Sequence, residues 1–274
     1  MFKKLISLTL VLLSSFMFIG CSSNNSSTQN ENVSEEAPIS ANDFYLVYAN
    51  PKEYKGRSVE FFGRVFVEPE RDLDGTYLQV FTLDHGNDGN TIVGINDPNL
   101  DIHAGDIVYV KGTVKDVYEG TNAFGGQIEA PSILATSIEK SDYAAAFAKP
   151  IKTIEVNQEI NQNGYIMTLE RVEIAESETR AYLKIQNETS NKIYFYSFNA
   201  VITQGSTQIN QQDNWEANYQ EINSDILPGI TSAGIITFAP INVEGENIKL
   251  VFEGSSDDYE LEFEPFIFEC SINE

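Results

Sequence analysis

The feature that most constrains the fold is a succession of short runs rich in Val, Ile, Phe, Tyr and Thr, which turn residues separate. Short strands with turn signals between them are typical of all-β proteins. Five runs form a first group, at 58–68, 76–83, 91–96, 106–117 and 126–138. Six form a second group, at 165–175, 180–187, 193–203, 231–238, 247–253 and 259–268. The sequence therefore predicts an all-β chain with two β-domains, at 42–140 and 154–274.

Glycines interrupt two runs of the first domain, at Gly63 and Gly112. A glycine inside a strand marks a bulge or a sharp bend, which small closed barrels need. Five further segments of the first domain carry a family resemblance, at 50–51, 54–57, 59–65, 105–114 and 122–126. In these segments the domain resembles OB-fold proteins, in particular the bacterial tRNA-anti-like family. The resemblance implies an OB-like five-stranded barrel over residues 42–140.

A linker is predicted at 141–153, where a brief helical turn ends at Lys149-Pro150. The second domain lacks the Cys–Trp–Cys core of antibody domains. Three of its segments carry a different resemblance, at 183–187, 227–229 and 234–238. In these segments the domain resembles the Ig-like extracytoplasmic domain of Gram-positive lipoproteins, which is related in fold to the immunoprotective-antigen type. The resemblance implies an Ig-like β-sandwich over residues 154–274 and no particular reaction.

The N-terminal residues follow the plan of a signal peptide. Lys3 and Lys4 precede an uncharged apolar stretch at 5–19, and Gly20 and Cys21 follow it. The stretch is shorter than the ~20 residues of a spanning helix. Phe18-Ile19-Gly20-Cys21 resembles the lipobox of bacterial lipoproteins, with Phe18 where leucine is usual. The alternative is an ordinary secretory signal followed by a chance cysteine.

The lipobox resemblance implies cleavage between Gly20 and Cys21 and a diacylglyceryl group on the Cys21 sulfur. Residues 1–20 are then the signal peptide. Residues 21–41 are the lipidated cysteine and a flexible tether, because Ser, Asn, Gln and Glu dominate there. The expected location is the extracytoplasmic face of the cell membrane. In a cell with two membranes the resemblance implies the outer one.

The chain is strongly acidic, with 17 Lys/Arg against 41 Asp/Glu and a net charge of −24. Residues 42–140 alone hold eight basic and sixteen acidic residues. OB domains that bind nucleic acid combine a basic groove with stacking aromatics. Because the basic groove is missing, the sequence predicts no nucleic-acid partner. With Cys21 lipidated, Cys270 is left without a disulfide partner and is expected to be a small buried residue.

No motif indicates a catalytic, cofactor or metal site. The loop 84–90 has the oxygen-rich composition of a Ca²⁺ loop, but its Asp-Gly and Asn-Gly pairs favour a hairpin turn. His85 and His103 lack the spacing of zinc ligands. No Gly-x-Ser-x-Gly elbow occurs. We therefore expect no catalytic residue, no cofactor and no bound metal.

Two surface features remain. Trp215 and Tyr219 lie in a polar stretch and are candidates for contact with a protein or glycan partner, the alternative being a tryptophan folded over the edge of the sandwich. In the run at 259–268, alternation predicts Tyr259, Leu261 and Phe263 on one face and three glutamates on the other. Solubility or cation capture would explain such an acidic stripe.

These features together predict a membrane-anchored, non-enzymatic lipoprotein that binds or scaffolds an envelope protein or glycan. The alternatives are an envelope enzyme, or enzyme subunit, with loop-borne catalytic residues, and a Ca²⁺-binding surface protein.

Overall fold

A computed structural model describes residues 37–82, 89–121 and 126–272 of the 274-residue chain. Among the described residues, strands account for 52% and helices for 7%, which confirms the predicted all-β class. Gly20 and Cys21 lie outside the described residues, as does most of the loop at 84–90.

Helices α1 (Tyr45–Ala49) and α2 (Tyr143–Phe147) each span five residues. The strands up to α2 are β1 (Ser58–Val65), β2 (Glu70–Arg71), β3 (Thr76–Phe81), β4 (Asn90–Ile95), β5 (Ile107–Thr121) and β6 (Gln127–Ser141). After α2 come β7 (Lys152–Gln162), β8 (Tyr165–Ile174), β9 (Thr179–Asn187), β10 (Ile193–Phe195), β11 (Val201–Gln204) and β12 (Thr207–Asn210). The last five are β13 (Asp225–Ile226), β14 (Thr231–Phe238), β15 (Ile248–Phe252), β16 (Gly254–Ser256) and β17 (Phe266–Cys270).

The chain divides into two compact units. The first contains the described residues up to Gly105 together with Val110–Ile138. The second contains Asp106–Tyr109 and the described residues from Glu139 onward.

The sheet of the first unit closes into a ring. Its strand order is β1-β5-β6-β4-β3-β2, and a further pairing joins β1 to β3. Gly63 lies at this closure: a Cβ there would come within 2.3 Å of Val80 Cγ1 and 2.8 Å of the Phe81 carbonyl oxygen. The glycine therefore permits the close approach of β1 and β3. The ring contains β1, β5, β6, β4 and β3, which is the number of strands predicted for the barrel of the first domain.

Alternating side chains fill this ring. The buried positions of β1 include Val59, Phe61 and Val65, which follow one another at the period of two that a strand imposes. The helical segment before β1 packs against them, because the Phe44 ring stacks on Phe61 with centroids 4.1 Å apart. Phe44 and Val47 are both buried.

The second unit contains three sheets, with strand orders β14-β9-β8-β7, β12-β11-β15-β17 and β13-β10-β16. The inward-facing residues of these sheets form one hydrophobic core, which includes Leu183, Ile193, Leu250 and Phe268. Cys270 belongs to this core and is buried, as expected from the sequence.

The acidic stripe is an incorrect prediction, because residues 257–265 form no strand. The Asp258 carboxylate accepts a bond from the backbone N–H of Glu260, and the Asp258 carbonyl accepts one from Leu261. Such local bonds from an aspartate favour a turn over a sheet ladder. Tyr259 is 96% exposed and shares no face with Phe263, which packs against the core.

Two further segments differ from the predicted strands. The run at 193–203 is split by a 3₁₀ turn at Ser197–Asn199 into β10 and β11. The sequence does not predict β7, because Asn, Gln and Glu make up more than half of it and are depleted in strands. It is an edge strand, so only one of its edges is paired.

Candidate binding cleft

A buried arginine lies at the start of β9 in the second unit. The Arg180 side chain is 0% exposed. Its Nη1 donates to Glu178 Oε1 at 2.7 Å, and its Nη2 donates to Glu173 Oε2 at 2.8 Å. A buried charge is strongly unfavourable unless it is paired and hydrogen-bonded. Arg180 meets this requirement with two carboxylates.

Glu173 binds a second arginine as well. Arg171 Nε donates to its Oε1 at 2.9 Å, and the Arg171 guanidinium lies 3.4 Å from the ring centroid of Tyr182. The Tyr182 hydroxyl donates to Oε2 of the same carboxylate at 2.8 Å. Burial acts to raise the pKa of Glu173, but the bonds from Arg171, Arg180 and Tyr182 outweigh it and lower the pKa below its usual value. Glu173 is therefore held as a carboxylate.

Glu178 connects the arginine to residues 211–220, which we call the Trp215 loop. Asn214 Nδ2 donates to Glu178 Oε2 at 2.7 Å, and the Tyr219 hydroxyl donates to Oε1 at 2.5 Å. Burial, followed by the bond to Glu178, raises the pKa of Tyr219, which keeps it a neutral donor. Arg180, Glu173 and Glu178, which we call the Arg180 network, therefore hold the Trp215 loop in place through Asn214 and Tyr219.

Two further hydrogen bonds join Arg180 and the Trp215 loop to other parts of the second unit. Arg180 Nη1 also donates to the carbonyl of Ala148, which follows α2, at 2.9 Å. The backbone N–H of Gln212 donates to the Thr237 carbonyl of β14 at 2.9 Å. The Trp215 loop is consequently fixed at its start by β14 and near its end by Tyr219.

An open cleft of about 500 Å³ lies beside this loop. It is lined by residues 177–178, 212–216 and 237–240. Trp215 lines it and is 80% exposed, whereas Ala217 of the same loop is buried. Single exposed apolar residues are common on protein surfaces, so what distinguishes Trp215 is its position at the cleft on a loop held by hydrogen bonds. The cleft combines a rigidly held loop with an exposed aromatic ring, which is the usual composition of a recognition surface.

The two residues singled out from the sequence have different environments. Trp215 is exposed at the cleft and is not folded over a sheet edge. Tyr219 is half-buried, and its hydroxyl is bonded to Glu178 beneath the loop. Its position therefore makes it a support for the Trp215 loop.

Sequence reasoning missed Glu173, Glu178 and Arg180. Alternation along β9 places Arg180 on the same face as Tyr182 and Lys184, the face directed away from the core. That face is covered at Arg180 by Ala148 and Tyr219, which are distant in sequence. The available signal was an arginine that follows Glu173 and Glu178 within the hairpin of β8 and β9.

Other candidate residues contribute nothing to the cleft. His103 lies in the first unit, where its ring nitrogens are 3.0 Å from Glu68 Oε1 and 3.2 Å from Asp101 Oδ1. His85 lies outside the described residues.

Within residues 37–82, 89–121 and 126–272, no group of three His, Cys, Asp or Glu side chains is arranged to hold a metal ion. No helix in the same ranges is long and apolar enough to cross a membrane.

Comparisons with known proteins give no family. No protein-family profile matches the chain, and no curated protein matches it. One similar solved structure is a functionally unknown protein from Listeria monocytogenes EGD-e, with 7% identity, a TM-score of 0.36, and coverage of 45% of this chain and 86% of that one. Another is the mitochondrial single-stranded DNA-binding protein Rim1 from S. cerevisiae, with 15% identity, a TM-score of 0.25, and coverage of 31% and 95%.

The Rim1 similarity corrects one prediction. The acidic charge of the first domain led us to expect no nucleic-acid partner, but a single-stranded DNA-binding protein is among the structural neighbours. The exclusion is therefore withdrawn. At a TM-score of 0.25 the similarity carries no argument about what this chain binds.

Proposed function

We propose that the chain is a membrane-anchored, non-enzymatic lipoprotein that binds a partner at the cell envelope through the cleft beside Trp215. The observation that carries the binding function is the exposure of Trp215 on a loop that the Arg180 network holds in place. The proposed anchor rests on the lipobox resemblance of Phe18-Ile19-Gly20-Cys21.

The arrangement of Glu178 supports binding over catalysis. Both of its carboxylate oxygens accept hydrogen bonds, from Arg180 and Tyr219 on one side and from Asn214 on the other. A general base needs an oxygen within reach of the proton that it removes. Glu178 instead has the contacts of a structural support beneath the loop.

The proposal is tested by capture from cell-envelope fractions with the full-length protein purified in detergent. We expect wild type to retain an envelope component that Trp215→Ala loses, because truncating an anchor aromatic at a binding surface typically costs about 2 kcal/mol or more. Phe198→Ala is the matched control, since Phe198 is an aromatic residue of the same unit that is 70% exposed and does not line the cleft. Equal retention by wild type and Trp215→Ala would refute the cleft as the binding site.

A further inference from the structure

The turn between β7 and β8 consists of an asparagine followed by a glycine, Asn163 and Gly164. Gln162 pairs with Tyr165, so only these two residues form the loop, and both have positive φ, 55° at Asn163 and 92° at Gly164. Two central residues with positive φ define a type I′ turn, which matches the twist of the flanking strands. Asn163 is exposed at this turn.

An asparagine that precedes a glycine is chemically reactive. The backbone nitrogen of the glycine, once hydroxide has taken its proton, can form a bond to the side-chain Cγ of the asparagine, and the missing Cβ of glycine leaves this approach open. The bond from Cγ to Nδ2 breaks, the nitrogen leaves as ammonia with a proton from water, and a succinimide ring remains. Water then opens the ring at either carbonyl and yields aspartate or isoaspartate.

Closure of this ring requires a different turn. The ring holds the Asn163 Cβ and the Gly164 nitrogen on the same side of the bond between Cα and the carbonyl carbon. That geometry corresponds to the ψ of about −120° in a type II′ turn, whereas a type I′ turn has a ψ of about +30°. The peptide between the two residues must therefore flip, and the φ of Gly164 must change from positive to negative.

Contacts on both sides of Gly164 oppose this flip. Its N–H donates to Asn161 Oδ1 at 2.9 Å, and this bond has to break before the nitrogen can lose its proton. Its carbonyl accepts from the backbone N–H of Glu188 at 2.7 Å. The packing is close, because a Cβ on Gly164 would lie 3.1 Å from the carbonyl carbon of Glu188 and from the nitrogen of Thr189. The native fold therefore holds the glycine nitrogen in an orientation that the reaction does not use.

We propose that Asn163 is a deamidation site that the native hairpin protects, with Asn161 as the protecting residue. Modification is then confined to molecules in which the hairpin has opened. Isoaspartate inserts the side-chain methylene into the backbone, and a turn with this extra atom no longer fits the register of Gln162 with Tyr165. The modification therefore marks opened molecules and prevents the native hairpin from forming again.

The test measures deamidation of the full-length protein in detergent at mildly alkaline pH. Peptide mass spectrometry follows the conversion of the Asn163 amide to an acid with time, and chromatography separates the aspartate and isoaspartate peptides. We expect conversion to be at least about tenfold faster in urea-unfolded wild type than in native wild type, because the native state reacts only through local opening.

The variants concern the bond at Gly164. Asn161→Ala removes the acceptor of its N–H, and we expect the native variant to convert about fivefold faster than native wild type. Asn161→Asp keeps an oxygen acceptor at the same position and is expected to convert no faster than wild type, which distinguishes the hydrogen bond from a general loss of stability. The matched control is Glu159→Ala, which truncates another exposed side chain of β7 and is expected to leave the rate unchanged.

Two results with the wild type alone would overturn the proposal. No conversion at Asn163 in urea would show that it is not a deamidation site, and equal rates in the native and unfolded protein would show that the hairpin does not protect it. The role of Asn161 would be refuted by an Asn161→Ala rate equal to that of wild type, or by equal acceleration in Asn161→Ala and Asn161→Asp.

Discussion

Replacing Arg180 with methionine removes the positive group that binds both Glu173 and Glu178, while keeping an unbranched side chain. The side chains of the two glutamates are 13% and 7% exposed, so their charges are poorly solvated without it. Removing one partner of a buried ion pair destabilises a protein by about 3–5 kcal/mol. Arg171 and Tyr182 still bind Glu173, and Asn214 and Tyr219 still bind Glu178, so we expect a value near the lower end.

The assay is urea unfolding followed by the emission of Trp215, which reports on the second unit alone. With a urea dependence of about 1–3 kcal/mol per molar, a loss of about 3 kcal/mol lowers the midpoint by roughly 1–3 M. Lys249→Met is the matched control, because it removes the cation from the exposed pair of Lys249 and Glu269 on β15 and β17. We expect this control to leave the midpoint almost unchanged, since exposed ion pairs contribute little.

The pH dependence provides an independent check. In the wild type the lowered pKa of Glu173 stabilises the fold above the unfolded-state pKa, and this contribution disappears as the pH falls through the folded-state pKa. In Arg180→Met, Glu173 stays partly buried but loses the bonds from Arg180, which shifts its pKa upward, so protonation of Glu173 offsets part of the destabilisation of the variant at a higher pH than in the wild type. The difference between the two midpoints therefore narrows between about pH 7 and pH 4. A difference that does not change with pH, or a midpoint equal to that of Lys249→Met, would refute the role given to Arg180.

Three further predictions concern other parts of the chain. Cys21→Ser abolishes incorporation of radiolabelled lipid and leaves unprocessed precursor; unchanged labelling would contradict the anchor. Burial raises the pKa of Cys270 to about 11, so a thiol reagent at about pH 8 reacts only after unfolding, and stoichiometric reaction of the native protein would show that the thiol is accessible. Gly63→Ala destabilises the first unit in thermal unfolding by about 1–3 kcal/mol, because its Cβ would meet the Phe81 carbonyl. Gly94→Ala has a smaller effect, because its Cβ would lie 3.3 Å from the Tyr77 ring. Equal destabilisation by the two variants would contradict the close approach of β1 and β3.

The architecture was readable from the sequence to the extent that local patterns determine it. The alternation of Val, Ile and Phe residues predicted the strands that face a core, and the observed β14 coincides with the predicted run at 231–238. Where polar side chains bond to the nearby backbone, the pattern failed. Asp258 converts an alternating stretch into a turn, and the Asn- and Gln-rich β7 is stabilised by pairing with β8, which no local pattern reveals.

Only some of the residues at the cleft could be predicted from the sequence. Trp215 stands out because a tryptophan in a polar stretch is unusual, but its neighbours give no sign of what lies beneath the loop. Glu178, Arg180 and Tyr219 meet because β9 and the Trp215 loop are brought together by the fold, across 39 residues between Arg180 and Tyr219. Single-sequence patterns do not encode such contacts, and charged residues on a strand are ordinarily assigned to solvent.

The most direct measurement for the central claim is acrylamide quenching of Trp215 in the full-length protein, with and without a soluble extract of the envelope. A side chain that is 80% exposed predicts efficient quenching in the free protein and a clear decrease once a partner covers the cleft. Quenching that is already weak in the free protein, or that does not change when the extract is added, would contradict a binding site at Trp215.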